Sequence, residues 1–188
     1  MNLGLKRNTV ELYDHQDEWE ENAVKTIEYI KKYFGEIVID IQHIGSTAIK
    51  GIKAKPIIDI VVGIYDFKHL DSIIEKLNQN GIIHRPNNDQ MGYKMFVMGD
   101  MENEIRTHHI HVVLYNGEEW KNQLNFRDYL NHNEIEAKEY EKLKIKFLKE
   151  NKANRSEYTK SKDEYIKNIF LVAEKWKKNL LKNGKTST

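Results

Sequence analysis

The chain has 188 residues, with 30 Lys and Arg against 29 Asp and Glu. That length suits one domain, or one domain with an appended helical bundle, and is enough to bury a core. Cysteine is absent, which excludes disulfides and thiolate metal sites, and no run approaches the roughly 20 apolar residues of a membrane-spanning helix.

The N-terminal stretch MNLGLKRNTVELYDHQDEW carries no long apolar segment. It does not read as a signal peptide, and a soluble, cytoplasmic protein is expected. The charge is uneven: from residue 133 onward there are 15 Lys and Arg against 9 Asp and Glu, and before it 15 against 20. A lysine-rich helical end of this kind reads as a solvated surface.

In chain order, residues 1–13 look extended, with Val10–Tyr13 a short strand or packed arm. Asp14 is placed to cap a helix over 17–34, whose Trp19, Ala23, Ile27, Ile30 and Phe34 recur at helical spacing. Gly35 ends it. Two β-branched runs, 37–44 and 57–64, read as strands around a loop carrying Gly45-Ser46-Thr47. Asp66 begins a second helix with Phe67, Leu70, Ile73, Ile74 and Leu77 on one face, closed by Gly81. A short Ile82-Ile83 run follows, then strands at about 91–98 and 105–114 joined by a turn over 99–103.

Everything after Asn116-Gly117 reads as helix: one to about 131, one marked by Ile135, Tyr140, Leu143 and Phe147, and a longer one from Tyr158 to Leu180. Residues 183–188 read as a frayed tail. The expected division is an α/β core over 1–117, a helical region over 118–182 packed on it, and the tail.

Strand alternation then sorts the faces. Ile58, Ile60, Val62 and Ile64 share the core side of their strand, which leaves Ile57, Asp59, Val61 and Gly63 on the other. In 106–114, Arg106, His108, Ile110, Val112 and Leu114 share one face; Thr107, His109, His111 and Val113 share the opposite one. If both strands turn their apolar faces to the helices, Asp59, His109 and His111 meet on one surface. A carboxylate and two imidazoles are a donor set for a divalent metal; an ordinary hydrogen-bonded pair is the alternative. His43 and His108 add to the histidines of this region. No helix carries a His-Glu-x-x-His pattern, which argues against a zinc protease.

Gly45-Ser46-Thr47 directly follows a strand. Small residues there let backbone N–H groups approach an oxyanion, and the serine hydroxyl adds a hydrogen bond. Lys50, Lys53 and Lys55 follow closely and can offset phosphate charge. GSTAIKG is not a Walker loop. Arg127, between Phe126 and Asp128, is a candidate anion clamp reaching the same cleft, or else a salt-bridge partner.

The stretch HIGSTAIKGIKAKPIIDIVVGI resembles the signature of the GrpB-like family. RTHHIHVVLY, NFRDYLNHN, YEKLK and the spaced Y-x-x-x-K-x-x-YI element resemble that family in the same order, from about Val10 to Ile169. The resemblance implies the DNA polymerase beta-like nucleotidyltransferase superfamily. The implied fold is α+β: a mixed β-sheet of the nucleotidyltransferase type flanked by helices, with a C-terminal helical region. Ile44-Gly45-Ser46 matches the superfamily's apolar-Gly-Gly/Ser element. Twelve residues separate Ser46 from Asp59, which matches its first metal-binding carboxylate. The second acidic position is Val61, and His109 or His111 stands where a third acid is expected. Two-metal phosphoryl transfer uses a carboxylate pair, so this departure puts the two-metal chemistry in question. Family members also occur fused to dephospho-CoA kinase, which associates them with nucleotide or coenzyme A-related ligands.

The resemblance implies transfer of a nucleoside monophosphate from an NTP to a small acceptor. Gly45, Ser46, Thr47 and Lys55 would hold the phosphates. Asp59, His109 and His111 would hold a divalent metal: Mg or Mn, or Zn given the imidazoles. Asp59, Lys55 and Arg127 would carry catalysis. The alternatives are a non-catalytic nucleotide- or metabolite-binding module, or a metal-dependent phosphoesterase that also uses His43. The partner in each case is a nucleotide or other phosphorylated small molecule. Nucleic acid is disfavoured, because the basic excess lies on helices and no aromatic stacking platform is readable on the strands.

Overall fold

Alternating apolar residues build one mixed sheet, and the computed structural model describes residues 3–6, 9–90, 92–150 and 155–183. The strands are β1 (Leu5–Lys6), β2 (Val38–Ile44), β3 (Ile58–Ile64), β4 (Ile83–His84), β5 (Tyr93–Asp100) and β6 (Ile105–Leu114). Their order is β2-β3-β6-β5-β4, and β1 pairs with the start of β6. β3 and β6 run parallel, and the other pairs are antiparallel. A parallel pair needs a crossover. Here α2 (Phe67–Asp71), α3 (Ile74–Gln79), β4 and β5 lie between β3 and β6 in the chain.

The first sheet face is the expected core. Ile58, Ile60, Val62 and Ile64 of β3, Ile110 and Val112 of β6 and Phe96 of β5 are all fully buried there. Helix α1 (Glu18–Phe34) covers them with Trp19, Ala23, Ile30 and Phe34. Its N-cap position is Asp17, not Asp14. The Asp14 carboxylate is instead paired with the Lys53 ammonium, so it is unavailable to the helix. Gly35, at φ 65°, turns the chain out of α1.

The single helix expected after Asp66 is two short ones, α2 and α3. The Ser72 hydroxyl donates to the His69 carbonyl and Ile73 N–H bonds Leu70 O at 3.0 Å, which tightens the turn and interrupts the α-helical ladder. Leu70 and Leu77 still reach the core. Upstream, Tyr13 is a packed arm rather than a strand, joined to Ala54 by an isolated pair of backbone bonds.

α4 (Glu118–His132), α5 (Glu134–Glu150) and α6 (Arg155–Asn183) follow. They build a second core of Phe126, Tyr129, Leu130, Ala137, Tyr140, Ile169 and Ala173, into which Ile49 and Ile52 of the β2–β3 loop insert. A third cluster, Ile44, Val61, Val113 and Trp120, joins α4 to the second sheet face. Gly63 belongs to that joint: a Cβ there would stand 2.8 Å from the Trp120 ring. Asn183 still belongs to α6, and the remainder of the expected tail lies outside the described residues. Among the described residues, no helix is long and apolar enough to cross a membrane.

Candidate functional site

The parallel register of β3 and β6 sets Asp59 beside His109 and Val61 beside His111. All four side chains leave the sheet on the face away from α1. The Asp59 Oδ1 atom lies 3.2 Å from His109 Nδ1 and 3.5 Å from His111 Nε2. Burial opposes ionisation of Asp59, but the two imidazoles facing it outweigh that and hold its carboxyl well below the usual carboxylate range. The His109 contact is the tighter one. His111 Nε2 is buried and makes no hydrogen bond of normal geometry, so it acts on Asp59 mainly through proximity.

Gly45 follows β2 directly and lies against Asp59. Its φ is +71°, and a Cβ built on it would stand 2.8 Å from the Asp59 Cβ. Only glycine satisfies both the left-handed backbone and the close approach. The following residues, Ser46–Ala48, form one 3-10 turn, whose leading N–H groups have no intrahelical carbonyl to bond. The Ser46 hydroxyl sits 3.1 Å from the Tyr140 hydroxyl of α5.

These residues wall a cavity of about 280 Å³. Gly45, Ser46, Thr47, Lys55, Asp59, His109 and His111 all line it. Phe126, Tyr140, Lys144, Ile166 and Phe170 from the three C-terminal helices close the opposite side. Lys144 is almost fully buried; its ammonium donates to the Lys53 carbonyl and lies 4.6 Å from the centre of the Tyr140 ring. Two lysines, an ionised aspartate and two imidazoles thus share one small space, which suits an anionic group that brings its own counter-cation.

Some expected members lie elsewhere. Arg127 does not line this cavity. Its guanidinium donates to the His43 carbonyl at 2.9 Å and to Gln42 Oε1 at 3.0 Å, and it is paired with Asp128 at 2.8 Å. It locks α4 to β2, and an arginine with its fork so occupied is no clamp for an anion beside Asp59. Lys53 is engaged by Asp14, and Lys50 lines other grooves. His108 faces α1, with Nε2 2.9 Å from the Thr26 hydroxyl. His43 bridges Glu20 and Thr47 at 2.9 Å each. Tyr140 and Lys144 had no chemical signal in the sequence beyond their place in YEKLK, since their helical spacing marks them only as packing residues.

Asp59, His109 and His111 are the expected metal ligands. Among the described residues, no group of three or more His, Asp and Glu stands ready to hold a metal ion. The three side chains face one another in hydrogen-bonding fashion. The donor chemistry nevertheless fits one ion. The Tyr93 hydroxyl lies 3.0 Å from His111 Nδ1 and 2.9 Å from Met95 Sδ. With a cation between His111 and Asp59, His111 would donate from Nδ1 to Tyr93 and turn an unprotonated Nε2 to the ion, in place of the Nε2 proton that otherwise faces Asp59. Burial raises the Tyr93 pKa, which keeps the phenol protonated. Two imidazoles and one carboxylate suit Zn²⁺ or Mn²⁺ better than Mg²⁺.

Comparison with known proteins identifies the family to which the chain belongs. The family model described as GrpB protein matches residues 9–171. The chain is 38% identical over 170 residues to the glutamate-rich protein GrpB of Alkalihalophilus pseudofirmus, covering 89% of this chain and 98% of that one. It is 33% identical over 172 residues to YqkA of Bacillus subtilis, covering 92% of this chain but only 49% of YqkA. The crystal structure of the conserved protein GrpB from Enterococcus faecalis superposes with a TM-score of 0.80 at 27% identity, covering 88% of this chain and 98% of that one. Matched along most of its length in sequence and in fold, the chain belongs to the GrpB protein family.

Proposed function

We propose that the Asp59 cavity binds the phosphates of a nucleotide, and that the chain is nucleotidyltransferase-like, passing a nucleoside monophosphate from an NTP to a small acceptor. One observation carries this reading: the Gly45 turn is pressed onto Asp59, so the small-residue Gly-Ser-Thr turn and an ionised carboxylate line the same cavity. The turn's N–H groups and Ser46 would receive phosphate oxygens, and Lys55 would offset their charge. A divalent ion, if bound, would be held by Asp59, His109 and His111 and would neutralise charge on the transferring phosphate. Ligand pockets commonly span roughly 300–1,000 Å³. At about 280 Å³ this one accommodates the phosphates, with the nucleoside toward the mouth.

A second reading has its own support. Val61, at the position of the superfamily's second carboxylate, is fully buried with Ile44, Val113 and Trp120. That leaves one carboxylate where two-metal transfer uses a pair, which favours a protein that binds the phosphorylated ligand without transferring it. Calorimetric titration of the four NTPs, each with Mg²⁺, Mn²⁺ or Zn²⁺, on wild type and Asp59→Asn separates the two. The transferase reading expects metal-dependent binding that falls at least tenfold in the variant. Binding indifferent to metal and to Asp59 would support the non-catalytic module instead. Absence of binding by any NTP would sink both.

A further inference from the structure

Tyr93 meets the Nδ1 edge of the His111 ring, while the Nε2 edge faces Asp59. The antiparallel register of β5 and β6 sets this up. It pairs Met95 with His111 and Tyr93 with Val113, and paired residues share a sheet face. Tyr93 packs there against the cluster of Val61, Val113 and Trp120. Its hydroxyl lies 3.0 Å from His111 Nδ1 and 2.9 Å from Met95 Sδ. One proton thus has two acceptors within reach, and the thioether cannot donate in return. Two neutral arrangements follow. In the first, the hydroxyl donates to Nδ1, and the ring carries its own proton on Nε2, facing Asp59 Oδ1 3.5 Å away. In the second, the hydroxyl donates to Met95, and Nδ1 carries the ring proton and donates to the hydroxyl oxygen. Nε2 then presents a lone pair to the carboxylate. A lone pair facing an ionised carboxylate is repelled unless a cation lies between them.

We propose that Tyr93, backed by Met95, selects the tautomer of His111 and so opens the Asp59 cluster to one borderline-soft divalent cation such as Zn²⁺. The first arrangement holds without the cation and the second with it. In passing between them a proton leaves Nε2 and a proton is taken up at Nδ1, so the ring stays neutral. Two observations favour a site built for this exchange. His111 Nε2 is buried without a hydrogen bond of normal geometry, so little is lost when its proton leaves. The separations from Asp59 Oδ1, 3.2 Å to His109 Nδ1 and 3.5 Å to His111 Nε2, lie near the edge length of about 3.3 Å expected for a tetrahedral Zn²⁺ site. Tyr93 is a positioning residue: it acts through His111, as an outer partner fixes the orientation and tautomer of a ligating imidazole. The inference rests on the metal-binding part of the function proposed above and is independent of which nucleotide binds.

The test titrates Zn²⁺ into the full chain without nucleotide, by calorimetry, and reads the His111 ring by nitrogen NMR, which distinguishes protonated, unprotonated and metal-bound nitrogens. In wild type, His111 is expected to carry its proton on Nε2 before Zn²⁺ is added and on Nδ1 afterwards. Tyr93→Phe has no oxygen to receive the Nδ1 proton and should weaken Zn²⁺ binding by about 10- to 100-fold, the usual effect of losing an outer partner. Met95→Leu keeps the volume and the Tyr93–His111 contact but removes the second acceptor, and should weaken binding by a smaller factor. Circular dichroism confirms that each variant is folded; if Tyr93→Phe is not, Met95→Leu carries the comparison. A His111 tautomer unchanged at Zn²⁺ saturation, wild-type affinity in every folded variant, or no Zn²⁺ binding by wild type would each overturn the inference. The tautomer exchange and the loss of affinity, without binding of any NTP, would support it and remove the nucleotide reading. Metal-dependent NTP binding that is lost in Asp59→Asn, with a His111 tautomer that never changes, would overturn it and leave that reading standing.

Discussion

Asp59 and His108 show how two ionisable side chains on neighbouring strands take opposite environments. Asp59 looks into a cavity and is held ionised by the imidazoles opposite. His108, on the other face, is sealed against α1 between the Thr26 and Thr107 hydroxyls. Burial pushes its imidazole down to about 4. Unfolded, it titrates near the ordinary value of about 6.5. Between those values the unfolded chain binds a proton that the folded chain refuses, so stability is complete above about pH 6.5 and falls as the pH drops toward 4. The expected loss is on the order of 3 kcal/mol. Urea midpoints taken from pH 7 to pH 4 should therefore fall in wild type, and fall clearly less in His108→Gln. Parallel curves would show that His108 contributes nothing to the acid sensitivity. Asp59, whose pKa is lowered, contributes in a separate window: its share is present above the unfolded carboxyl value and is lost only below it.

Among the elements, α1 and the helix pair after β3 make a contrast. α1 presents a regular apolar stripe, so its period alone predicts its buried face. The run 66–80 has an equally apolar stripe, but a serine hydroxyl bonding back to the backbone splits it into α2 and α3. The five-residue α2 is too short to be stable by propagation alone and leans on its cap. The Asp66 carboxylate accepts the His69 N–H at 3.0 Å. Asp66→Ala is expected to lower global stability by about 1 kcal/mol. It should also speed amide hydrogen exchange at Lys68 and His69 while leaving α1 unchanged. Exchange rates equal to wild type across α2 would mean that packing of Leu70, rather than the cap, holds the helix.

At the scale of the whole molecule, the cavity exists because the C-terminal helices are docked on the β2–β3 loop. Asn131 of α4 spans that joint, accepting from Lys50 N–H at 3.0 Å and donating to the Ala48 carbonyl at 2.8 Å. Asn131→Ala leaves both backbone groups without this partner. The expected cost is about 1–2 kcal/mol, with faster hydrogen exchange concentrated over residues 48–53. Because Ser46 and Thr47 belong to the same loop, nucleotide affinity measured by calorimetry should weaken alongside it. A stability loss with wild-type exchange over 48–53 would show that Ile49 and Ile52, buried in the helical core, suffice to hold the loop.

Much of this was legible from residues alone. The alternation of β3 and β6 put Asp59, His109 and His111 on one face, because side-chain direction in a strand depends only on parity. The Gly-Ser-Thr turn, the existence of α1 and of α4 to α6, and the resemblance to GrpB proteins are likewise readable from the residues. Tertiary structure decided what parity and period cannot reach. It turned Arg127 away to bind the His43 carbonyl, brought Tyr140 and Lys144 over the cavity, and linked Glu20, His43 and Thr47 across 27 positions of sequence. Those contacts join separate elements whose relative placement is set by the packing of three apolar clusters, and a linear pattern records each partner without recording the distance between them.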